Sequence, residues 1–226
     1  LIVIGLNHRS APIEVREVMA QCVSNVSNVY TQISHMVDEA FLLSTCNRVE
    51  LYAVLSSPED EIVGWMKSHC QTDENSENDY LYVHHDKEAV KHLFRVISSL
   101  DSMIIGEDQI VSQVKTTFRV ASEEKRIGPT LKRLIEKSFS VAKKVRTETG
   151  ISREGVSIGR AGVELARHIL GSLTGKKALL IGAGQHGKLI ARHLSSHNLE
   201  GLYISNRDFK KAENLAKSLS ASAIPL

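Results

Sequence analysis

Leu42-Leu43-Ser44-Thr45-Cys46-Asn47-Arg48-Val49-Glu50-Leu51-Tyr52 runs from apolar residues through a polar bend into an alternating pattern that continues to Leu55. That pattern predicts strand, tight turn, strand, with polar side chains held at the bend. A cysteine there is exposed enough to react, and Arg48 can favour its thiolate or hold an anionic substrate. The same residues also suit a plain hairpin whose cysteine is a small filler. The rest of the chain has to decide between the two.

Working outward, Leu1–Leu6 reads as a strand and residues 12–35 as one or two helices opened by Pro12. Strands follow at 39–43 and 49–55. Pro58 and the acids at 59–61 open a helix to residue 70, residues 71–79 make a polar surface loop, and 80–84 reads as a strand. The order β-α-β-β-α-β predicts a split βαβ, or ferredoxin-like, sandwich with two helical segments covering one face of its sheet. Cys46 then falls on the link between the second and third strands, at the sheet edge.

From Asp86, a candidate N-cap, the pattern becomes helical, with Ala89, Val90, Leu93, Phe94, Ile97 and Leu100 on one face. His92 lies in the midst of that face, where a structural role is the plainer reading. Polar residues around 101–109 interrupt the helix. It resumes over Ile110, Val114, Phe118 and Ala121, and again from Pro129 to Gly150 with Lys132, Arg133, Lys137, Lys143, Lys144 and Arg146 along it.

After a bridging helix over 162–170, the buried strand Lys177–Ile181 runs into Gly182-Ala183-Gly184-Gln185-His186-Gly187, followed by a helix, a strand at 202–205 and a helix at 209–219. A GxGxxG after a strand and opening a helix marks a dinucleotide site, with the pyrophosphate on the helix N-terminus. The second strand ends Ser205-Asn206-Arg207, which suits a 2′-phosphate better than the acid of an NAD-binder, so NADPH is the expected cofactor. The fold class is therefore α/β (multi-domain α+β): a catalytic domain over 1–155 and a Rossmann NADP-binding domain over 156–226. Only three of about six strands are visible, so more chain is expected beyond Leu226.

With 226 residues, 42% of them hydrophobic and 24% charged, the chain reads as globular. No apolar run nears the roughly 18 residues of a membrane span, and no leader is visible before the first strand. Opening on Leu rather than Met suggests a trimmed piece. Cys22, Cys46 and Cys70 are far apart and odd in number, which argues for a reducing compartment; with His69, His84 and His85 they make no zinc spacing, so no metal is expected. Net charge is +2, but residues 59–88 hold nine acids against two lysines and residues 125–153 nine bases against two glutamates. The basic stretch suits a polyanionic partner, or a solvated helix face.

Together the motifs resemble the glutamyl-tRNA reductase family along the whole chain: Gly5-Leu-Asn-His-Arg-Ser-Ala-Pro12, Ser44-Thr-Cys-Asn-Arg-Val-Glu50, His92-Leu-Phe-Arg-Val96, Leu100-Asp-Ser-Met103, Gly106-Glu-Asp-Gln-Ile110, Val145-Arg-Thr-Glu-Thr-Gly150 and the glycine turn. The resemblance implies NADPH-dependent reduction of glutamyl-tRNA to glutamate-1-semialdehyde, the first step of tetrapyrrole synthesis. It implies Cys46 as the thioester-forming nucleophile and His92 as an activity-critical histidine. Thr45, Asn47, Arg48, Ser102, Glu107, Asp108, Gln109 and Gln113 match substrate-contacting positions. It further implies a homodimer through a C-terminal helix beyond residue 226, the aminomutase that consumes the product and a regulatory protein as partners, and a bacterial cytoplasm or plastid stroma as location. Ser99 stands where the family usually has Gly, Asp108 where Pro or Asn is common, His186 where Met is frequent, and Gly159-Arg160 in place of small residues. Two rival readings are a non-catalytic paralogue that binds tRNA or a regulator, and an NADP-dependent dehydrogenase of a small free substrate.

Overall fold

The structure, a computed structural model, describes residues 1–70, 80–103, 105–107, 109–149, 151 and 158–226. The expected surface loop at 71–79, Asp108, Gly150 and part of the bridge after it lie outside the described residues. The chain divides into two compact units, Leu1–Gly155 and Val156–Leu226.

In the first unit β1 (Ile2–Asn7), α1 (Ile13–Cys22), α2 (Val26–Gln32), β2 (Val37–Ser44), β3 (Arg48–Leu55), α3 (Glu59–Cys70) and β4 (Tyr82–His85) follow one another. The sheet order is β2-β3-β1-β4, and each neighbouring pair is antiparallel. This is the split βαβ arrangement expected from the pattern. Expected cover on one face only was too little: all six residues of β1 and the first six of β3 are buried. The reason is a further set of helices, α4 (Asp86–Ile97), α5 (Gln109–Glu123) and α6 (Pro129–Glu148), which pack on β1, β2 and β3 as well as on one another. A sheet covered on both faces carries near-continuous apolar runs. The stripe on α4 is narrower than expected: Ala89, Leu93, Val96 and Ile97 are buried, while Leu100 lies exposed past the helix end. Asp86 does not cap it. His85 occupies the N-cap position and Asp86 is already the first helical residue, at a positive φ of 41°.

Helix α6 starts where Pro129 removes one unpaired N–H. The next two backbone N–H groups, of Thr130 and Leu131, donate to the carboxylate of Glu39 on β2, at 3.0 and 2.6 Å. Glu39 is buried, and its negative charge meets the positive end of the helix dipole. A single side chain thus anchors the longest helix to an edge strand.

The second unit holds α7 (Ile158–Leu170), β5 (Lys177–Ile181), α8 (Gln185–Ser195), β6 (Gly201–Ser205), α9 (Phe209–Ser218) and β7 (Ser222–Ala223). Its strands are parallel in the order β5-β6-β7, as in the first half of a Rossmann sheet. Leu180, Ala191, Leu202, Ile204, Ala212 and Leu215 form its core. Among the described residues no helix is long and apolar enough to cross a membrane.

Replacing Glu39 with Ala strands two buried N–H donors, so chemical denaturation should show a loss of about 2 kcal/mol, with Glu39→Gln intermediate.

Candidate functional site

Cys46 lies exposed at the tip of the β2–β3 turn. The turn is closed by its own residues. The Thr45 amide donates to the Arg48 carbonyl at 2.8 Å, and the Thr45 hydroxyl accepts from the amides of Asn47 and Arg48, both at 3.2 Å. Such a side-chain-closed turn is what a threonine at its first position favours. Arg16, an inward-facing arginine on α1, donates from Nη1 to the Cys46 carbonyl at 2.7 Å and to Asn47 Oδ1 at 3.2 Å. The loop after β1 braces the other side. Asn7 Oδ1 accepts the amides of Arg9 and Ser10, and the His8 amide donates to the Asn47 carbonyl at 2.9 Å. Burial first, then the charges of Arg48 and Arg9, hold His8 below its usual pKa, so its ring is neutral near pH 7.

Beneath the turn is a charge network that the sequence did not announce. Glu50, fully buried, accepts from Arg48 Nη1 at 2.5 Å, Tyr52 Oη at 2.7 Å, Tyr82 Oη at 2.5 Å and His92 Nε2 at 2.9 Å. Burial alone would raise its carboxyl. The Arg48 guanidinium, with the His92 and Tyr82 bonds, overrides burial and holds it down at about 2. Burial and the same carboxylate push the Tyr52 and Tyr82 hydroxyls up, so both remain donors. Room for Glu50 comes from Gly5, its cross-strand partner: a Cβ there would lie 2.4 Å from the Val49 carbonyl oxygen and 2.9 Å from Glu50 Cγ. That gives the glycine of the first motif its physical reason.

Arg48 is 2% exposed, with Nη1 on Glu50 and Nη2 on the carbonyl and carboxylate of Asp101. Two neighbouring carboxylates hold its fork, and this ties the turn to the segment after α4. His92 is likewise more than a core histidine. Facing an ionised carboxylate, Nε2 carries the hydrogen and donates, which leaves Nδ1 as the ring's second nitrogen. Its ring packs among Tyr52, Tyr82 and His84. A cavity of about 440 Å³ opens beside it, walled by Asn7, Arg9, Tyr82, His84, Arg95 and Asp101 among others.

Of the other expected residues, Ser102 is buried next to Asp101, and Gln109 and Gln113 lie half-buried on the first turns of α5. The Glu107 carbonyl accepts from Ser99 Oγ and, at 2.9 Å, from Arg146 Nη2. Ser99 has a positive φ of 58°, a conformation that favours glycine, and the bonds of its hydroxyl to the Glu107 carbonyl and from Arg146 offset that strain. Arg146 also donates to Ser99 Oγ at 3.3 Å. It therefore ties the 99–107 segment to α6 rather than joining the exposed basic face of Lys132, Arg133, Lys137, Lys143 and Lys144. Among the described residues no cluster of His, Cys, Asp and Glu could hold a metal.

In the second unit Gly182 takes a positive φ of 107°, and a Cβ on Gly187 would lie 1.9 Å from the Gly182 carbonyl oxygen, so strand and helix meet only through glycine. Nothing lies within 4 Å of where a Gly184 Cβ would be, which leaves the backbone open to a pyrophosphate at the N-terminus of α8. A nicotinamide dinucleotide fits this cradle. Ala183 N donates to Asn206 Oδ1 at 3.0 Å, linking the turn to the end of β6. Ser205 is buried, whereas His186 and Arg207 are exposed; the Gln185 side chain lies outside the described residues.

A family model described as "Glutamyl-tRNAGlu reductase, N-terminal domain" matches residues 4–149, well over half of the chain. The chain belongs to the glutamyl-tRNA reductase family. Glutamyl-tRNA reductase of Pelobacter propionicus is 43% identical over 230 residues, covering 100% of this chain and 53% of the relative. That of Nitratidesulfovibrio vulgaris (strain DP4) is 45% identical over 228 residues, covering 99% and 52%. The solved structure of glutamyl-tRNA reductase from Methanopyrus kandleri superposes with a TM-score of 0.62 at 32% identity, covering 99% of this chain and 53% of that one. The chain spans about half the length of the curated relatives it matches. A second model, shikimate / quinate 5-dehydrogenase, matches residues 164–226, in line with the Rossmann-type unit.

Glu50→Gln should lower the stability of the folded protein by about 3 kcal/mol, because Arg48 loses a buried counter-charge. Its acid limb should change too. The folded carboxyl titrates near 2, below its ordinary 4.5, so the unfolded chain binds the extra proton between those values. The stabilisation is complete above about pH 4.5 and disappears as pH falls through about 2. Acid titration followed by circular dichroism should show this step in the wild type and not in the variant.

Proposed function

We propose that this chain supplies the catalytic and cofactor-binding parts of an NADPH-dependent glutamyl-tRNA reductase, which makes glutamate-1-semialdehyde for tetrapyrrole synthesis. The observation that carries the reading is an exposed Cys46 at the tip of a turn locked from beneath by Arg48, Glu50 and Asp101, in a chain of this family. The Cys46 thiolate attacks the acyl carbon of the aminoacyl ester. The ester C–O bond breaks, the terminal ribose hydroxyl of the tRNA leaves with a proton, and a thioester remains. The cofactor, when bound, supplies the hydride that converts this thioester to the aldehyde and returns the thiolate.

Each residue then has a physical task. Thr45, Asn47 and Arg16 fix the backbone that presents Cys46, holding the sulfur in a near-attack position. His92, oriented through Nε2 by Glu50, offers Nδ1 to take the proton that the Cys46 thiol gives up and to pass it to the leaving oxygen. Ser102, Gln109 and Gln113 line the path of the glutamyl group, with Glu107 and Asp108 on the same segment. Arg207 and the glycine turn point to NADPH. The exposed lysines and arginine along α6 offer a surface for the tRNA backbone, which orients the acceptor end without reading sequence. The shikimate-type match covers only the cofactor unit, so it adds no support for a small free substrate.

Single-turnover reaction of the full-length protein with radiolabelled glutamyl-tRNA, without NADPH, tests the route. Label should be trapped on wild type, absent from Cys46→Ser, and released as aldehyde once NADPH is added. No trapped label with tRNA still bound would favour the non-catalytic paralogue. The paired change Lys143→Glu and Lys144→Glu should weaken tRNA binding across tRNA sequences and make the log–log salt slope shallower by roughly one to two units, measured by filter binding at several salt concentrations.

A further inference from the structure

Among the described residues, the cavity beside His92 is lined by none of Thr45, Asn47, Ser102, Glu107, Gln109 and Gln113, so it is a space apart from the expected glutamyl path. One wall is a face of α4, where Lys91, His92 and Arg95 recur at helical spacing. The other is built by Arg9 from the loop after β1 and by Tyr82 and His84 of β4. The Tyr82 and His84 rings stack with centroids 5.2 Å apart, and His84 lies 5.1 Å from the His92 ring. Burial first, then the neighbouring His92, holds His84 below its usual pKa, so this aromatic wall is uncharged near pH 7. The cations are not equivalent. Lys91 pairs with Glu88 at 3.3 Å, and Arg9 pairs at 3.2 Å with Asp101, whose other carboxylate oxygen holds Arg48. Arg48 has Glu50 besides. Arg95 is exposed and has no ion-pair partner among the described residues, which leaves the cavity one positive charge in excess.

We propose that this cavity holds the 3′-terminal nucleotide of the tRNA, with Arg95 on the phosphodiester that links it to the rest of the strand. The inference rests on the reductase reading above. The leaving oxygen belongs to the terminal ribose and His92 serves that oxygen, so the ribose lies against the His92 ring. What hangs from the ribose then fills the space beside that ring. A volume of about 440 Å³ is within the roughly 300–1,000 Å³ of small-molecule sites. The rings of Tyr82 and His84 suit the face of a base. A phosphodiester carries one negative charge, which Arg95 matches, and a guanidinium presents two parallel donors to its oxygens. Every tRNA ends in the same nucleoside, so the subsite orients the ester for attack without choosing among tRNAs.

The test is single-turnover labelling of Cys46 in the full-length protein by two short radiolabelled esters. One is glutamyl-adenosine, which lacks the phosphodiester, and the other is glutamyl-cytidylyl-adenosine, which has it. Wild type should take label from the dinucleotide ester roughly tenfold faster at equal low concentration, the size of one charge-assisted contact. Arg95 is exposed, so Arg95→Ala should fold as wild type does. In that variant the ratio between the two esters should fall to about twofold or less, and Arg95→Lys should keep part of it. A wild type that treats the two esters alike, or that takes label from glutamyl-tRNA and from neither ester, overturns the subsite. A ratio that Arg95→Ala leaves at its wild-type value overturns the role of Arg95. No label from glutamyl-tRNA itself overturns the reductase reading instead.

Discussion

A carboxylate with no contact with water lies under the β2–β3 turn, and the geometry around Cys46 depends on it. Glu50 is stable there because Arg48, Tyr52, Tyr82 and His92 all donate to it. An ionised carboxylate taken out of water costs several kcal/mol, and only near-complete hydrogen bonding and a counter-charge offset that. The four donors come from two strands of the sheet and from α4. They are therefore registered against one another to within a hydrogen bond's tolerance. Arg48 passes the constraint upward to the turn and, through Asp101, sideways to the segment after α4.

The same logic of buried acids governs the outer helix. Glu39 holds the start of α6 against β2, and Arg146 near its other end holds the 99–107 segment. The helix is thus anchored at both ends on the first unit while its lysines face solvent. The departure at Ser99 belongs to this anchoring. A serine in a glycine-like conformation loses backbone freedom but gains two hydrogen bonds that a glycine could not make.

In the cofactor unit backbone geometry and charge are separable. The approach of Gly187 to Gly182 shapes the turn for any dinucleotide, whereas in dinucleotide-binding units of this kind the side chains after the second strand discriminate among dinucleotides. Asn206 takes a place in the first task, not the second, because its amide joins the turn to the sheet.

Much of this was legible in the residues. The apolar runs of β1 to β3, the glycine spacing and the proline starts of α3 and α6 are local signals, set by neighbours a few positions away, and they specify the split βαβ sheet and the dinucleotide turn. Cys46 at a bend is legible for the same reason. What only the tertiary structure decided is pairing across distance. Glu50 meets Tyr82 and His92 from 32 and 42 positions away, Arg48 meets Asp101 from 53, and Arg16 meets Cys46 from 30. A sequence names the charges, but whether a guanidinium points at a substrate or at a buried acid depends on which elements pack together. The second helical layer, the locked Arg48 and the cavity beside His92 all follow from that packing.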